Sequence, residues 1–197
     1  MSAEKANRTP AKPKLAIDPQ YVLRITGVLL GICLITALLL GLVNQVTAPR
    51  IDAIQAEKVR AAMSQVLPAD NYEPLGFTVA NVTAIYQAVS DGKDIGWVVE
   101  TSTAGSQGAI EMMVGINAEG KVTGVSIVKH SETPNIGTKV VGDQAVLDRF
   151  TGMSLEAGEI TVNGGANRFD GVSGATVSSR GVAAGVNAAL AAIGITP

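Results

Sequence analysis

An uninterrupted apolar segment near the N-terminus is the feature that most restricts how this chain can fold. The segment, ITGVLLGICLITALLLGLV at 25–43, runs for 19 residues without a charge. A helix of about 20 apolar residues crosses the hydrocarbon core of a bilayer. The apolar part of a secretory signal peptide is shorter, about 7–15 residues, and no convincing small-x-small cleavage site follows here. We therefore expect an uncleaved membrane anchor, with a signal peptide as the alternative.

The charges on the two sides of this segment differ in sign. Residues 1–24 carry five Lys/Arg against two Asp/Glu, a net charge of +3, whereas the rest of the chain carries ten against fifteen, a net charge of −5. Positively charged flanks stay in the cytoplasm. We therefore expect the N-terminus in the cytoplasm and the large domain on the other side of the bacterial inner (cytoplasmic) membrane.

Composition also argues against nucleic-acid binding and against sites that need several cysteines. An acidic domain lacks the positive surface that binds phosphate backbones, so we expect no nucleic-acid partner. Cys33 is the only cysteine and lies in the middle of the apolar segment. An intrachain disulfide and a cysteine-ligated metal cluster are therefore excluded, and we expect no metal site.

Shifts in composition divide the chain into four predicted parts. Prolines and scattered lysines indicate a flexible tail before the apolar helix. After that helix, Pro49 fits the first turn of a new helix, which Pro68 ends. We expect this second helix to be a connector that holds the domain off the membrane. The four parts are a cytoplasmic tail at 1–20, a transmembrane helix at 21–46, a connector helix and loop at 47–80, and an extracytoplasmic domain at 81–197.

The large domain combines strand patterns with later helix patterns. Short runs of β-branched and aromatic residues, separated by Gly, Asp and Asn, predict four strands, and the segment 118–120 predicts a hairpin loop. Helices are expected at about 143–150 and from about Thr176. Strands followed by helices indicate an α+β domain with a largely antiparallel sheet and flanking helices. The predicted strands are Ile85–Val89, Ile95–Thr101, Ile110–Ile116 and Val122–Lys129.

A threonine hydroxyl lies between a glycine turn and a predicted helix in the run Asp170-Gly171-Val172-Ser173-Gly174-Ala175-Thr176. Free backbone N–H groups and the helix dipole at such an N-terminus favour an anion. A phosphate, either bound or joined to the threonine oxygen, suits this position. The simpler alternative is a small-residue turn followed by a threonine N-cap. The helix is indicated by apolar residues at spacings of four, three and four: Val182, Val186, Ala189 and Ile193.

This run closely resembles the flavinylation motif Asp-x-x-Ser-Gly-Ala-Thr of the FMN-binding domain family. The resemblance implies that a dedicated flavin transferase joins FMN to Thr176 through a phosphoester and that Asp170 serves recognition by that enzyme. Ser178 and Ser179 would offer donors to the phosphate, and small motif residues permit close approach of the tether and the enzyme. The cofactor-binding residues implied around Thr176 are Ser173, Gly174, Ala175, Val177, Ser178 and Ser179.

A second segment carries the same resemblance. The run His-Ser-Glu-Thr-Pro-Asn-Ile-Gly at 130–137 resembles the His-x-Glu-Thr-Pro-Gly-x-Gly loop that lies beside the flavin in this family. The resemblance implies that Glu132 and Thr133 approach the flavin ring or its ribityl chain. Asn135 departs from the family pattern, in which glycine is usual. Asparagine also tolerates a positive φ, so we expect the shape of the loop to be retained.

The layout of one membrane helix and one extracytoplasmic FMN-binding domain resembles that of the G subunits of Rnf complexes. These complexes pass electrons between ferredoxin and NAD while moving Na⁺ or H⁺. The resemblance implies an electron-carrying subunit that is inactive alone, holds covalent FMN and has the other subunits of a membrane complex as partners. The C subunits of the Na⁺-translocating NADH:quinone reductase share this layout and are the alternative. A membrane-anchored flavin-binding sensor or scaffold is the alternative from another class, but a permanently attached cofactor defeats sensing by occupancy.

Overall fold

One long helix, α1 (Pro19–Val66), begins the part of the chain that the computed structural model describes, residues 19–76 and 79–194. The predicted tail at 1–20 lies outside these residues except for its last two. Among the described helices, α1 is the one that is long and apolar enough to cross a membrane, and its most apolar stretch is fully exposed, with a mean hydropathy of 2.6. The chain divides into two compact units, Met1–Asp52 and Ala53–Pro197.

Pro49 lies inside α1, so the prediction that a new helix begins there is wrong. Proline removes one helical hydrogen bond and commonly kinks or ends a helix. Here Ala, Gln, Glu and Lys follow within a few residues, and their high helix propensity lets the helix continue past the missing bond. Pro68 does follow the end of the helix, as predicted.

The second unit is built on an antiparallel sheet of five strands in the order β1-β2-β3-β4-β5. This architecture confirms the predicted α+β fold, and each of the four predicted strands is present. The structure adds β1, which lies in the segment predicted as a connector. Gly120 has a φ of 74° in the predicted hairpin loop between β4 and β5. The strands are β1 (Asn71–Leu75), β2 (Val82–Ser90), β3 (Lys93–Ala104), β4 (Ala109–Asn117) and β5 (Val122–Lys129).

Further short elements follow the sheet. The helix expected at about 143–150 is present as a helical turn that continues into a 3₁₀ turn, and Asp143 caps it by accepting a hydrogen bond from the Ala145 N–H at 3.0 Å. A preceding helical turn and a two-stranded parallel ladder were not predicted. The elements are α2 (Thr138–Val141), α3 (Gln144–Leu147), the 3₁₀ turn Asp148–Phe150, β6 (Thr161–Val162), β7 (Arg168–Phe169) and α4 (Thr176–Ile193).

The inner face of the sheet is the one that packs against α4. Alternate residues of β3 and β4, such as Val99 and Val114, are fully buried in this core. Val182 and Val186 of α4 are also fully buried here, which confirms the predicted apolar face of the helix. The packing of α4 on this face brings its first residue, Thr176, close to Ser106 in the loop between β3 and β4.

The outer face of the sheet packs against the last turns of α1. Met63 and Val66 lie in a smaller apolar cluster with Ala88, Val98 and Met113. The Thr123 hydroxyl donates to the Val66 carbonyl oxygen at 2.5 Å. The end of α1 is therefore an integral part of the domain's packing as well as a connection to the apolar segment.

Candidate functional site

Thr176 is the first residue of α4, and its side chain is exposed. Ala175 occupies the N-cap position, where no side chain caps the helix. The simpler interpretation of Thr176 as an N-cap residue is therefore wrong. Because its hydroxyl is not used to cap the helix, it is available to solvent at the positive end of an 18-residue helix.

The first backbone N–H groups of α4 are open. The Ser179 N–H donates to the Ala175 carbonyl oxygen at 2.9 Å, as in a regular helix. The N–H groups of Thr176, Val177 and Ser178 have no hydrogen-bond acceptor among the described residues. Such groups are satisfied by water or by an anion, and the helix dipole favours the anion.

The turn before α4 depends on one glycine. Gly174 has a φ of 80° and open space where a Cβ would stand, so its backbone conformation, not crowding, requires glycine. Ser173 beside it is exposed, and Ala175 is buried. The turn therefore presents the small motif residues to solvent while Ala175 anchors it in the core.

Ser178 and Ser179 are buried, and both hydroxyls have protein partners. The Ser178 hydroxyl donates to Glu132 Oε2 at 2.6 Å, and the Ser179 Oγ accepts from the Val172 N–H at 3.2 Å. The Ser178 hydroxyl proton is therefore already used within the protein. Its backbone N–H remains open, so the donor that this residue offers to a phosphate is the backbone group.

Glu132 is buried, with 5% of its surface exposed. Its Oε1 accepts hydrogen bonds from the Ser106 N–H at 2.6 Å and the Gln107 N–H at 3.4 Å. Together with the Ser178 contact, these bonds join the β3–β4 loop, the loop after β5 and the first turn of α4. The carboxylate is thus occupied by the protein, and the flavin contact that the resemblance implied for Glu132 stays a prediction.

The loop at 130–137 has the shape expected from its sequence. Asn135 has a φ of 61°, the left-handed conformation that the usual glycine would adopt. The Thr133 carbonyl oxygen accepts from the Ile136 N–H at 3.2 Å and the Thr138 N–H at 3.3 Å. Thr133 is half-buried at the base of this turn, and its contact with a flavin stays a prediction.

Asp170 lies apart from these contacts, on the exposed side of the turn. Its carboxylate pairs with the Arg168 guanidinium at 2.6 Å, and both side chains are largely exposed. Its carbonyl oxygen accepts from Arg149 Nη1 at 2.9 Å. Asp170 therefore lies at the surface, and its role in recognition by a flavin transferase stays a prediction.

A cavity of about 280 Å³ opens beside Thr176. Among the described residues after α1, Ile136 and Val177 are the large apolar side chains that remain exposed, at 53% and 55%. Both line this cavity, together with Ser106 and residues 174–178. Sequence reasoning missed Ser106 and Ile136 as site residues. Ile136 could have been found, because it is an apolar residue within the second motif. Ser106 lies outside both motifs, and nothing in the sequence marked it as a site residue.

The fold and this site define an FMN-binding domain that is anchored to a membrane. The family model described as FMN-binding domain matches residues 105–191, which contain all of the site residues described above. The G subunit of the Na⁺-translocating ferredoxin:NAD⁺ oxidoreductase complex of Acetobacterium woodii is 31% identical over 195 residues, which cover 89% of this chain and 93% of the relative. The G subunit of the ion-translocating oxidoreductase complex of Methanosarcina acetivorans is 32% identical over 181 residues, with 88% and 95% covered.

The chain therefore belongs to the family of G subunits of ion-translocating oxidoreductase complexes. This confirms the family that the two motifs and the layout indicated. A crystal structure of NqrC from Shewanella oneidensis is 22% identical, with a TM-score of 0.46 over 64% of this chain and 66% of that one.

The residues present fit FMN. A flavin phosphate needs an anion site, and the first turn of α4 supplies open N–H groups at Val177 and Ser178. A flavin ring needs apolar surface, and Ile136 and Val177 supply it on the wall of the same cavity. Thr176, which is exposed, lines the same cavity.

Proposed function

We propose that this chain is an electron-carrying subunit of a membrane ion-translocating ferredoxin:NAD oxidoreductase complex and that its FMN is attached covalently to Thr176. Support for the complex comes from the named G-subunit relatives. Support for the attachment comes from one observation, an exposed threonine hydroxyl at the open N-terminus of α4, next to the exposed Ile136 and Val177. The same relatives favour this complex over the quinone-reductase alternative.

Attachment forms one phosphoester bond. The Thr176 Oγ attacks the phosphorus of a flavin dinucleotide, the phosphoanhydride bond breaks, and the nucleoside monophosphate leaves while the hydroxyl proton passes to a base. A flavin transferase carries out this step after recognising the exposed Asp170 and the turn that follows it. The protein gains one FMN less one water, and the N–H groups of Val177 and Ser178 would hold the phosphate.

When bound, FMN supplies one- and two-electron chemistry. The chain itself contributes position and surroundings. Thr176 would hold the cofactor to the domain, Val177 and Ile136 would offer apolar surface to the ring, and the buried core under α4 keeps the site in place. Electrons arrive from and leave to cofactors on other subunits, which are the partners of this chain.

Replacing Thr176→Val tests the attachment. Valine keeps the shape of threonine and removes the only hydroxyl at the motif's last position. We expect the intact mass to fall by one FMN less one water and the flavin fluorescence on a denaturing gel to disappear. Thr83→Val, which changes an exposed threonine on β2, is the matched control and should retain the flavin. Unchanged flavin mass in Thr176→Val would overturn the covalent assignment.

Purification in mild detergent tests the complex. We expect the chain to bring down flavin- and iron–sulfur-containing subunits with ferredoxin:NAD oxidoreductase activity. Recovery with NADH:quinone reductase activity would favour the alternative complex. A lone monomer that binds flavin reversibly would favour the sensor or scaffold.

We further propose that the FMN domain lies outside the cytoplasm and the N-terminus within it. The proposal rests on the +3 charge that precedes the apolar segment. A cysteine at Glu119, in the exposed β4–β5 hairpin, placed in a Cys33→Ser background, should react with a membrane-impermeant thiol reagent in intact cells. Labelling only after membrane disruption would show the opposite orientation.

A further inference from the structure

The buried carboxylate of Glu132 has no place in the electron transfer proposed above. It is the only ionisable side chain among the buried polar residues of the described chain. Burying a carboxylate is costly unless hydrogen bonds replace its water. Here it accepts from the Ser106 N–H and the Ser178 hydroxyl, both at 2.6 Å, and more weakly from the Gln107 N–H at 3.4 Å.

These bonds join segments that are far apart in sequence. Ser106 lies in the loop between β3 and β4, Glu132 in the loop after β5, and Ser178 in the first turn of α4. Both Ser106 and Ser178 also line the cavity beside Thr176. The Glu132 carboxylate, which is not itself among the lining residues, therefore connects two residues that line this cavity.

Two glycines shape the space around the carboxylate. A Cβ at Gly105 would overlap Glu132 Oε1, and a Cβ at Gly137 would overlap Oε2. Neither glycine has a positive φ, so the close approach to Glu132 is what requires the missing side chain at each position. Two backbone segments thus lie directly against the carboxylate, one at each of its oxygens.

We propose that Glu132 is a positioning residue for flavin attachment. It holds the first turn of α4 against the β3–β4 loop, so that the Thr176 hydroxyl and the open N–H groups after it face the cavity. The proposal rests on the proposed attachment at Thr176 and gives Glu132 a role through its protein contacts instead of through the flavin. Small displacements of reacting groups reduce rates strongly, by up to about 100-fold for 1 Å, so loosening this turn should slow attachment.

The test compares flavin attachment rates of the full-length chain in membranes with the flavin transferase, followed by intact mass. Glu132→Ala removes all three bonds and should slow attachment about tenfold or more. Glu132→Gln should stay within about threefold, because its amide oxygen still accepts from the loop and its NH₂ group donates to the Ser178 oxygen. Ser178→Ala removes one connection and should fall between the two.

Asn187→Ala is the matched control. Asn187 also ties α4 to a distant loop, through two hydrogen bonds of 2.9 Å with the Ile160 backbone, but it lies far along the helix from Thr176. Its loss should lower stability and leave the attachment rate within about twofold, since the first turn of α4 is untouched. Attachment lost equally in Asn187→Ala and Glu132→Ala would overturn the proposal.

Amide hydrogen exchange in the Thr176→Val background gives a readout that needs no flavin. The N–H groups of Ser106 and Gln107 should exchange faster in Glu132→Ala and at the parent rate in Glu132→Gln. If Glu132→Ala does not fold, the other two variants test the proposal. An attachment rate in Ser178→Ala equal to that of the wild type would overturn it. A tenfold slower attachment in Glu132→Gln with unchanged stability would also overturn it. A wild-type chain without covalent flavin would instead overturn the attachment at Thr176.

Discussion

The two faces of the five-stranded sheet are each covered by a helix. On each face a glycine allows close contact between helix and strand, but the glycine belongs to a different element. On the inner face the glycine lies on the helix: a Cβ at Gly181 would lie 2.6 Å from the Ala104 carbonyl oxygen. On the outer face it lies on a strand: a Cβ at Gly115 would lie 2.5 Å from the Val66 carbonyl oxygen. In both places a missing side chain lets helix and strand backbones approach.

The two faces also differ in their relation to the candidate site: the inner face positions Thr176, and the outer face does not. The inner helix, α4, carries Thr176 at its first position, so its seating on β3 decides where the hydroxyl lies. The outer helix end fixes α1 to the domain, and none of the described residues of its apolar cluster lines the cavity beside Thr176. Changes of similar cost on the two faces should therefore affect flavin attachment differently.

The largest expected effect is from Phe169→Ala in the inner core. Phe169 is fully buried and stacks on Phe150 with ring centroids 4.1 Å apart. Truncating a buried phenylalanine costs about 3–5 kcal/mol of unfolding free energy. Because Asp170 follows directly, we also expect flavin loading to fall, as measured by intact mass alongside thermal unfolding of the full-length protein in detergent.

Met63→Ala on the outer face is the matched comparison. Met63 is 6% exposed in the smaller cluster, and its truncation should cost about 2–3 kcal/mol, at the low end for buried methionine. We expect flavin loading to stay at the wild-type level in the folded fraction. Equal loss of flavin in both variants would break the distinction between the faces.

Gly181→Ala should have an intermediate effect. The added methyl group meets the Ala104 backbone, which cannot rotate away, and overpacking of this kind costs about 1–3 kcal/mol. The better helix propensity of alanine offsets up to about 1 kcal/mol of that cost. We expect a lower unfolding temperature and slower flavin attachment, because α4 must move. Slower attachment without any loss of stability would contradict this account.

The smallest expected effect is from Glu100→Gln on the outer face. Burial raises the pKa of Glu100 from its ordinary value of 4.5, and the Glu111 carboxylate raises it further. As pH rises above 4.5, Glu100 loses its proton in the unfolded chain before it does so in the folded protein. The unfolding free energy therefore falls between pH 4.5 and the raised pKa of the folded state, and it stays lower at higher pH. The variant should be more stable at pH 7, by less than about 1 kcal/mol because water screens this half-exposed group.

Thermal unfolding of Glu100→Gln and the parent at two pH values checks this sign. The gain should be present at pH 7 and absent at about pH 3, where Glu100 is protonated in both the folded and unfolded states. Flavin loading should be unchanged at either pH, since this face lies away from Thr176. An equal gain at both pH values would mean that the charge is not its cause.

Much of the fold was predictable because its signals are local. The short runs of β-branched and aromatic residues predicted four of the five strands of the main sheet, and the helical spacing after residue 176 predicted the buried face of α4. β1 was missed because Asn71–Leu75 contains Pro74 and little apolar alternation. Its pairing with β2 makes it a strand, and such pairing is a property of the folded sheet. The prediction that a helix begins at Pro49 was wrong for the opposite reason: proline is a strong local signal for a helix start, but the helix-forming residues around it continue α1 through this position.

The sequence by itself determined the apolar anchor, the strand and helix patterns, the family and the threonine that ends the motif. These depend on residue type and spacing along a continuous segment. Only the tertiary structure decided that Glu132 is enclosed between Gly105 and Gly137, that its carboxylate meets Ser178, and that Ile136 shares a cavity with Val177. Segments tens of residues apart meet there because the sheet and α4 bury their apolar faces together, and no local pattern records which side chains come into contact.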